Sequence, residues 1–229
     1  RRLIRTDAQN NETIRASLLL GMDDPDENTR NPMNSKDINA TSFRQIHTAL
    51  TQELNFKAGP VWSKSTILSY LKESSQKPEK KDLGYIQEFT KEYVHNGKKL
   101  NFVIRLFFGP TGINEKSTTF HYLFKDALEN HSVMNYDGHS GLGGHLDLSS
   151  LEYQESFTIN PSNQYQIYYF NSCSSYTYYN SMYFARKITE KDPLGSKNLD
   201  IFNNGLATMF NVMTQTSLTV VQAIDSWLT

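Results

Sequence analysis

Cysteine is almost missing from this sequence. Cys173 is the one thiol in 229 residues, so the chain can form neither an internal disulfide framework nor a multi-thiolate metal centre. A charge excess is missing too: 23 Lys plus Arg against 24 Asp plus Glu give a formal net charge of -1, which offers no broad field for nucleic acid or an anionic membrane. Long apolar runs are absent. "ASLLLGM" and "FVIRLFFG" are far shorter than the ~20 residues of a bilayer-crossing helix, so no transmembrane segment is expected. The opening "RRLIRTD" has no apolar leader core and no initiating Met. It reads as the start of a processed or excised piece of a longer precursor, whose additional domain is then a candidate partner. Both a cytoplasmic and an exported location stay open.

Cofactor signatures are lacking as well. The glycines form neither a GxGxxG fingerprint nor a P-loop, and no HExxH occurs. Asp137, His139, His145 and Asp147 lie close in sequence, but without the ligand spacing of a closed zinc site. The acidity of "DDPDEN" alone identifies no calcium loop. The reading therefore calls for no metal and no cofactor.

What the chain does have is an alternation of strand-like and helix-like segments over a length that suits one α/β domain across residues 1–229. "ETIRASLLLGM" has the continuous apolar centre of a buried strand, followed by a polar, Pro-punctuated long loop over 23–40. "NATSFRQIHTALTQELNF" predicts a helix burying Phe43, Ile46, His47, Leu50 and Leu54, capped at Thr41 or Ser42. A short strand at Pro60 to Trp62, a helix over "SKSTILSYLKESS" and the charged linker "SSQKPEKKD" follow. "DLGYIQEFTKEYVHNG" predicts a third helix through Tyr85, Ile86, Phe89 and Tyr93, stopping at "NG". "KKLNFVIRLFFG" reads as a strand, "EKSTTFHYLFKDALEN" as a helix and "SVMNYDG" as a strand. A polar stretch leads to the strand "YQIYYFNSC", then to "YYNSMYFARKI" of ambiguous period. A loop over 189–198, a short strand "LDIFNNG" and a helix over "MFNVMTQTSLTVVQAIDSW" complete the order. Strands separated by helices imply right-handed crossovers and a mainly parallel central sheet with helices on both faces.

Two successive strands end in "GHSG" and "NSCSS", and catalytic groups in parallel sheets gather beyond the carboxyl ends of strands. If those strands are neighbours, His139 and Cys173 leave the same edge. The chemistry is then thiol acyl transfer: the Cys173 thiolate attacks a carbonyl and His139 protonates the leaving amine. The amides of Gly138 or Gly141, with that of Cys173, are candidates for the oxyanion site. Asp137 is a candidate to orient His139, and Ser140 to shape the loop. Arg105 is a candidate to meet an acidic substrate side chain or a structural carboxylate, and Asp147 and Asp200 suit loop or cap roles.

Two other readings stand beside this one. Gly138-His139-Ser140-Gly141-Leu142-Gly143 approximates the G-x-S-x-G elbow of a serine hydrolase with Ser140 as nucleophile, but the last Gly arrives one residue late and no later histidine follows His145. The cluster "YYFNSCSSYTYYNSMYF" could instead form the face of a catalytically inactive protein- or glycan-binding module, although alternate aromatics in a strand also fill a core.

The blocks "MNYDGHSGLGG" and "YYFNSCSSY" resemble the caspase-like cysteine peptidases, the group of caspases, legumains, gingipains and separases. "IRASLLLGM" is similar to that group's first core strand. The resemblance implies a three-layer α/β sandwich, His139 as catalytic histidine, Cys173 as nucleophile, and a cofactor-free endopeptidase acting on protein or peptide substrates. The sequence departs from the pattern where Ser140 follows His139 and the glycine comes one place later.

Overall fold

The run from Glu12 to Gly21 is apolar because it lies inside a sheet with strands on both sides. Strand β2 (Glu12–Gly21) pairs in parallel with β5 (Lys98–Gly109) on one side and β6 (Val133–Asp137) on the other. The computed structural model describes residues 2–24, 30–74, 83–190, 193, 195, 197–204 and 213–229. Among these, eight strands form one mixed, mostly parallel sheet in the order β3-β4-β5-β2-β6-β7-β8, with β1 (Arg5–Thr6) antiparallel to the start of β2. β7 (Gln166–Asn171) and β8 (Leu199–Asn204) continue the parallel part. β3 (Lys57–Val61) and β4 (Tyr85–His95) add an antiparallel edge beyond β5.

Side-chain alternation divides the core in two. Leu18 and Leu20 of β2 join one cluster with Phe43 and Ile46 of α1 (Ile38–Thr48) and Val221 and Ile224 of α6 (Met213–Leu228). Leu19 joins the other, with Ile67 of α2 (Lys64–Ser74) and Phe120 and Phe124 of α3 (Thr118–Asn130). Leu151 of α4 (Leu148–Glu155) and Tyr179 and Tyr183 of α5 (Ser175–Arg186) belong to this second cluster. The aromatic-rich segment is thus chiefly core: Tyr168, Phe170, Tyr179 and Tyr183 are buried in mutual ring contact. No helix among the described residues is long and apolar enough to cross a membrane.

Three expectations need correction. The segment read as a third helix is strand β4, hydrogen-bonded along β5; "NG" is the hairpin between them, with Asn96 at φ 50° and Gly97 at φ 74°. The cap of α1 is Asp37, whose carboxylate accepts from the amides of Asn39 and Ala40, so Thr41 and Ser42 lie inside the helix. The polar stretch before β7 contains α4, started by the Asp147 carboxylate accepting from Ser150 N. The ambiguous "YYNSMYF" run is helical, as part of α5. Most of the charged linker, from 75 to 82, lies outside the described residues.

Topology fixes where a site can form. From β2 the chain leaves towards β5, whereas from β6 it leaves towards β7, so the connections diverge between the adjacent carboxyl ends of β2 and β6. Such a divergence opens a crevice outside the sheet edge.

Candidate active site

β6 and β7 are parallel neighbours, and Asp137 faces Asn171 across the ladder. One further bond, from Gly138 N–H to the Asn171 carbonyl at 3.2 Å, carries the pairing just past the strand ends. His139 follows two residues after Asp137 and Cys173 two residues after Asn171. Neighbouring strands lie about 5 Å apart, and these two leave the sheet at one edge, the edge beyond which His139 and Cys173 follow. The His139 side chain is 54 % exposed and Cys173 is exposed. Cys173 sits on a sharp turn, because the next residue, Ser174, takes the left-handed conformation at φ 50° and α5 starts directly after it. That conformation costs a non-glycine residue ~1 kcal/mol.

The His139 imidazole has a carboxylate beside it, and it is not that of Asp137. Nε2 lies 3.0 Å from Asp23 Oδ1 and 3.3 Å from the Asp23 carbonyl oxygen. Asp23 is held in turn by Asp37, whose Oδ2 accepts from the amides of Asp23 and Asp24 at 2.8 and 2.9 Å while its Oδ1 caps α1. One carboxylate thus fixes the helix start and the residue that meets the imidazole. From behind, the Tyr136 hydroxyl donates to the His139 carbonyl at 2.6 Å and lies 3.0 Å from Thr111 Oγ1. Burial pushes the Tyr136 phenol far above its ordinary value, so it stays protonated as a donor.

Asp137 is fully buried. Its Oδ1 accepts from Asn171 Nδ2 at 3.1 Å, and its Oδ2 has no hydrogen-bond partner among the described residues. Burial pushes this carboxyl up to about 7, against the smaller opposite effect of the Asn171 bond. Ser140 is 5 % exposed, and its carbonyl oxygen accepts from Gly143 N, His145 N and Tyr179 Oη. It is a hub of the loop that follows His139. Gly141 takes φ 54° with the His145 ring packed onto it; a Cβ there would stand 2.2 Å from His145 Cδ2, so both conformation and space require glycine. Since the Gly138 amide is bonded to Asn171, the amides of Gly141 and Cys173 are left as oxyanion candidates.

The remaining candidates are structural. Arg105 is buried in mid-strand, 2.9 Å from Glu88 Oε1 and 2.6 Å from Asp126 Oδ2, with Trp62 and Tyr70 against its guanidinium. Asp147 caps α4, and Asp200 accepts from the Tyr165 hydroxyl. A serine, a histidine and an aspartate also line up elsewhere: Ser17 Oγ is 2.7 Å from His131 Nδ1, and His131 Nε2 is 3.5 Å from Asp126 Oδ2. Ser17 lies inside β2 with no exposed surface, so no substrate can reach it. No group of three His, Cys, Asp or Glu residues among those described could hold a metal ion.

Asp23, Asp37 and Tyr136 escaped the sequence reading. Asp23 had a signal: it comes two residues after the end of the most apolar strand, where a parallel sheet places its reactive groups. No protein-family model and no curated protein matches the chain.

Proposed function

We propose that the protein is a cysteine endopeptidase in which Cys173 is the nucleophile and His139 the proton carrier. The observation that supports this most is the common edge: two exposed side chains of matching chemistry follow register-paired residues of adjacent parallel strands, and the histidine already has an orienting carboxylate. Asp23 occupies Nε2, which leaves Nδ1 as the nitrogen for the thiol.

In the first step Cys173 Sγ, having given its proton to His139, attacks the peptide carbonyl carbon. The tetrahedral oxyanion accepts from backbone amides, with Gly141 and Cys173 as donors. Collapse breaks the C–N bond, and His139 returns the proton to the departing amine. Water then attacks the thioester while His139 takes its proton, and the proton passes to sulfur as the acid product leaves. Leu142, 89 % exposed, and Tyr176, 72 % exposed, follow His139 and Cys173 by three residues each and offer apolar contacts for a peptide backbone.

The test is labelling with peptidyl electrophiles of varied sequence, mapped by mass. A single adduct at Cys173, lost in Cys173→Ala and slowed at least about 100-fold in His139→Ala, is the expected result. Failure of all such probes, alongside saturable peptide or glycan binding, would favour an inactive binding module; hydrolysis that survives Cys173→Ala but not Ser140→Ala would favour a serine hydrolase.

A further inference from the structure

Six non-glycine residues among those described take a positive φ. Five are asparagine or serine, and the sixth is Leu142, at φ 54°. The left-handed region is crowded for a bulky side chain, so leucine is the strained choice there. Leu142 sits between Gly141, at φ 54°, and Gly143, at φ 90°, three residues after His139. Hydrogen bonds impose this path: the Ser140 carbonyl accepts from Gly143 N and His145 N at 3.0 and 3.1 Å, and Gly144 N donates to the Gly141 carbonyl at 3.0 Å. Helix α5 clamps the loop from outside. The Tyr179 hydroxyl donates to the same Ser140 carbonyl at 3.2 Å, and the Tyr178 ring stands over Gly143, where a Cβ would come within 2.9 Å of Tyr178 Cγ.

Nothing in the fold offsets that strain. Leu142 is 89 % exposed and belongs to neither core cluster. Glycine or asparagine would follow the same path with less strain and without baring an apolar surface. An exposed apolar side chain is ordinary by itself: Val94 is 79 % exposed, but it lies in strand β4, paired with Lys99 at the end of the sheet opposite His139. Leu142 differs in being strained and rigidly held just after a proposed catalytic residue. Backbone strain kept at such a place points to a role that the side chain plays once a second molecule is bound.

We infer that Leu142 is a specificity-determining residue, which binds an apolar side chain on the first residue of the departing half of the substrate. This rests on the peptidase reading and narrows it. His139 hands its proton to the departing amine, so the chain carrying that amine leaves past the imidazole and meets the segment that follows it. The clamp from α5 keeps this segment against the helix that starts just after Cys173. Leucine has no polar group to offer, and what it gains with an apolar partner is the removal of both surfaces from water. A charged or amide side chain at that position would lose hydration without a hydrogen bond in return.

The experiment exposes a mixture of random peptides to the whole chain and reads both halves of every product by mass spectrometry. Leucine, isoleucine, methionine and phenylalanine are expected at the first departing residue at least about tenfold more often than serine, asparagine or lysine, and Leu142→Asn is expected to bring that ratio below about threefold. Val94→Ser should leave the ratio unchanged, and an equal loss there would overturn the inference. Leu142→Asn should keep or exceed the wild-type urea midpoint, because the side chain packs on no core; a lowered midpoint would mean that the leucine serves the fold, and would overturn the inference. Cleavage without an apolar preference at that residue, or with one that persists in Leu142→Asn, would likewise overturn it and leave the peptidase reading standing. If peptidyl electrophiles label Cys173 but nothing in the mixture is cut, a peptidyl ester of the best-labelling sequence supplies the thioester, and leucinamide is expected to capture its acyl group at least about tenfold faster than serinamide. Equal capture would overturn the inference. Absence of both cleavage and peptidyl labelling, with iodoacetamide still alkylating Cys173, would overturn the peptidase reading and this inference with it.

Discussion

His139 Nε2 stands 3.0 Å from Asp23 Oδ1, joining the chain just after β2 to the chain just after β6 across the point where their connections diverge. The contact turns two adjacent strand ends into one unit. Asp37 holds the Asp23 backbone and Tyr136 holds the His139 carbonyl, so each partner is fixed from its own side. In the proposed peptidase the imidazole would then reach the thiol without first searching its rotamers, which is the physical content of preorganisation.

Removing the Asp23 carboxylate is therefore expected to slow the chemical step without abolishing it. The Asp23 carbonyl also lies within reach of Nε2, at 3.3 Å, and remains in Asp23→Ala. The carboxylate is half-exposed, so water screens its charge. A drop in kcat of about tenfold to 100-fold with KM nearly unchanged is expected, measured on a peptide substrate. A change confined to KM would mean that Asp23 touches substrate instead of orienting His139.

Tyr136→Phe isolates the support from behind. The ring, buried against Phe120, stays, while the hydroxyl that donates to the His139 carbonyl is lost. The uncovered carbonyl should cost about 1–2 kcal/mol of stability in denaturant unfolding. Cys173 labelling by a peptidyl probe should slow about tenfold, because the backbone carrying His139 is freed. Iodoacetamide, which needs no aligned imidazole, should react with the variant more nearly as with the wild type.

The buried Ser17–His131–Asp126–Arg105 chain is expected to matter for folding alone. Arg105 lies between Glu88 and Asp126, so Arg105→Met leaves two carboxylates without their cation and should cost about 3–5 kcal/mol. Ser17→Ala should leave Cys173 labelling unchanged. Burial alone would raise the Asp126 carboxyl, but the hydrogen bond of His131 and the charge of Arg105 hold it well below its usual range; His131 itself is lowered, chiefly by burial. Asp126 contributes stability that is present above about pH 3.8 and lost on acidification, and neutral His131 contributes stability lost as pH falls below about 6.5. Urea midpoints between pH 7.5 and pH 3 should fall in those two stages, and Arg105→Met should weaken the more acidic one.

β2 and the later half of β5 were legible because they are buried on both faces and leave near-continuous apolar runs. β4 was not legible from its apolar spacing. Tyr85, Phe89 and Tyr93 recur every four residues, and that interval falls on one face of a helix and also on one face of a strand. Asn96-Gly97 could have decided the matter, since it is the common hairpin turn, whereas a helix end needs only one left-handed residue. The position of His139 and Cys173 beyond neighbouring strand ends was legible because each comes two residues after its own strand. The partner of His139 was not, because the contact with Asp23 spans 116 positions and no local pattern encodes it.

Asp137 gives a prediction that needs no substrate. Its carboxyl is pushed by burial up to about 7, against about 3.8 in the unfolded chain. Between those values the folded state holds a proton that the unfolded state has released. The contribution to stability is therefore complete below about pH 3.8 and is lost as pH rises through about 7. Asp137→Asn cannot titrate, so its stability relative to wild type should improve by about 2–3 kcal/mol between pH 5 and pH 8. Paired denaturant titrations at those two pH values measure this difference directly. A constant offset would mean that the buried carboxyl is already ionised and has a cation that the fold itself supplies.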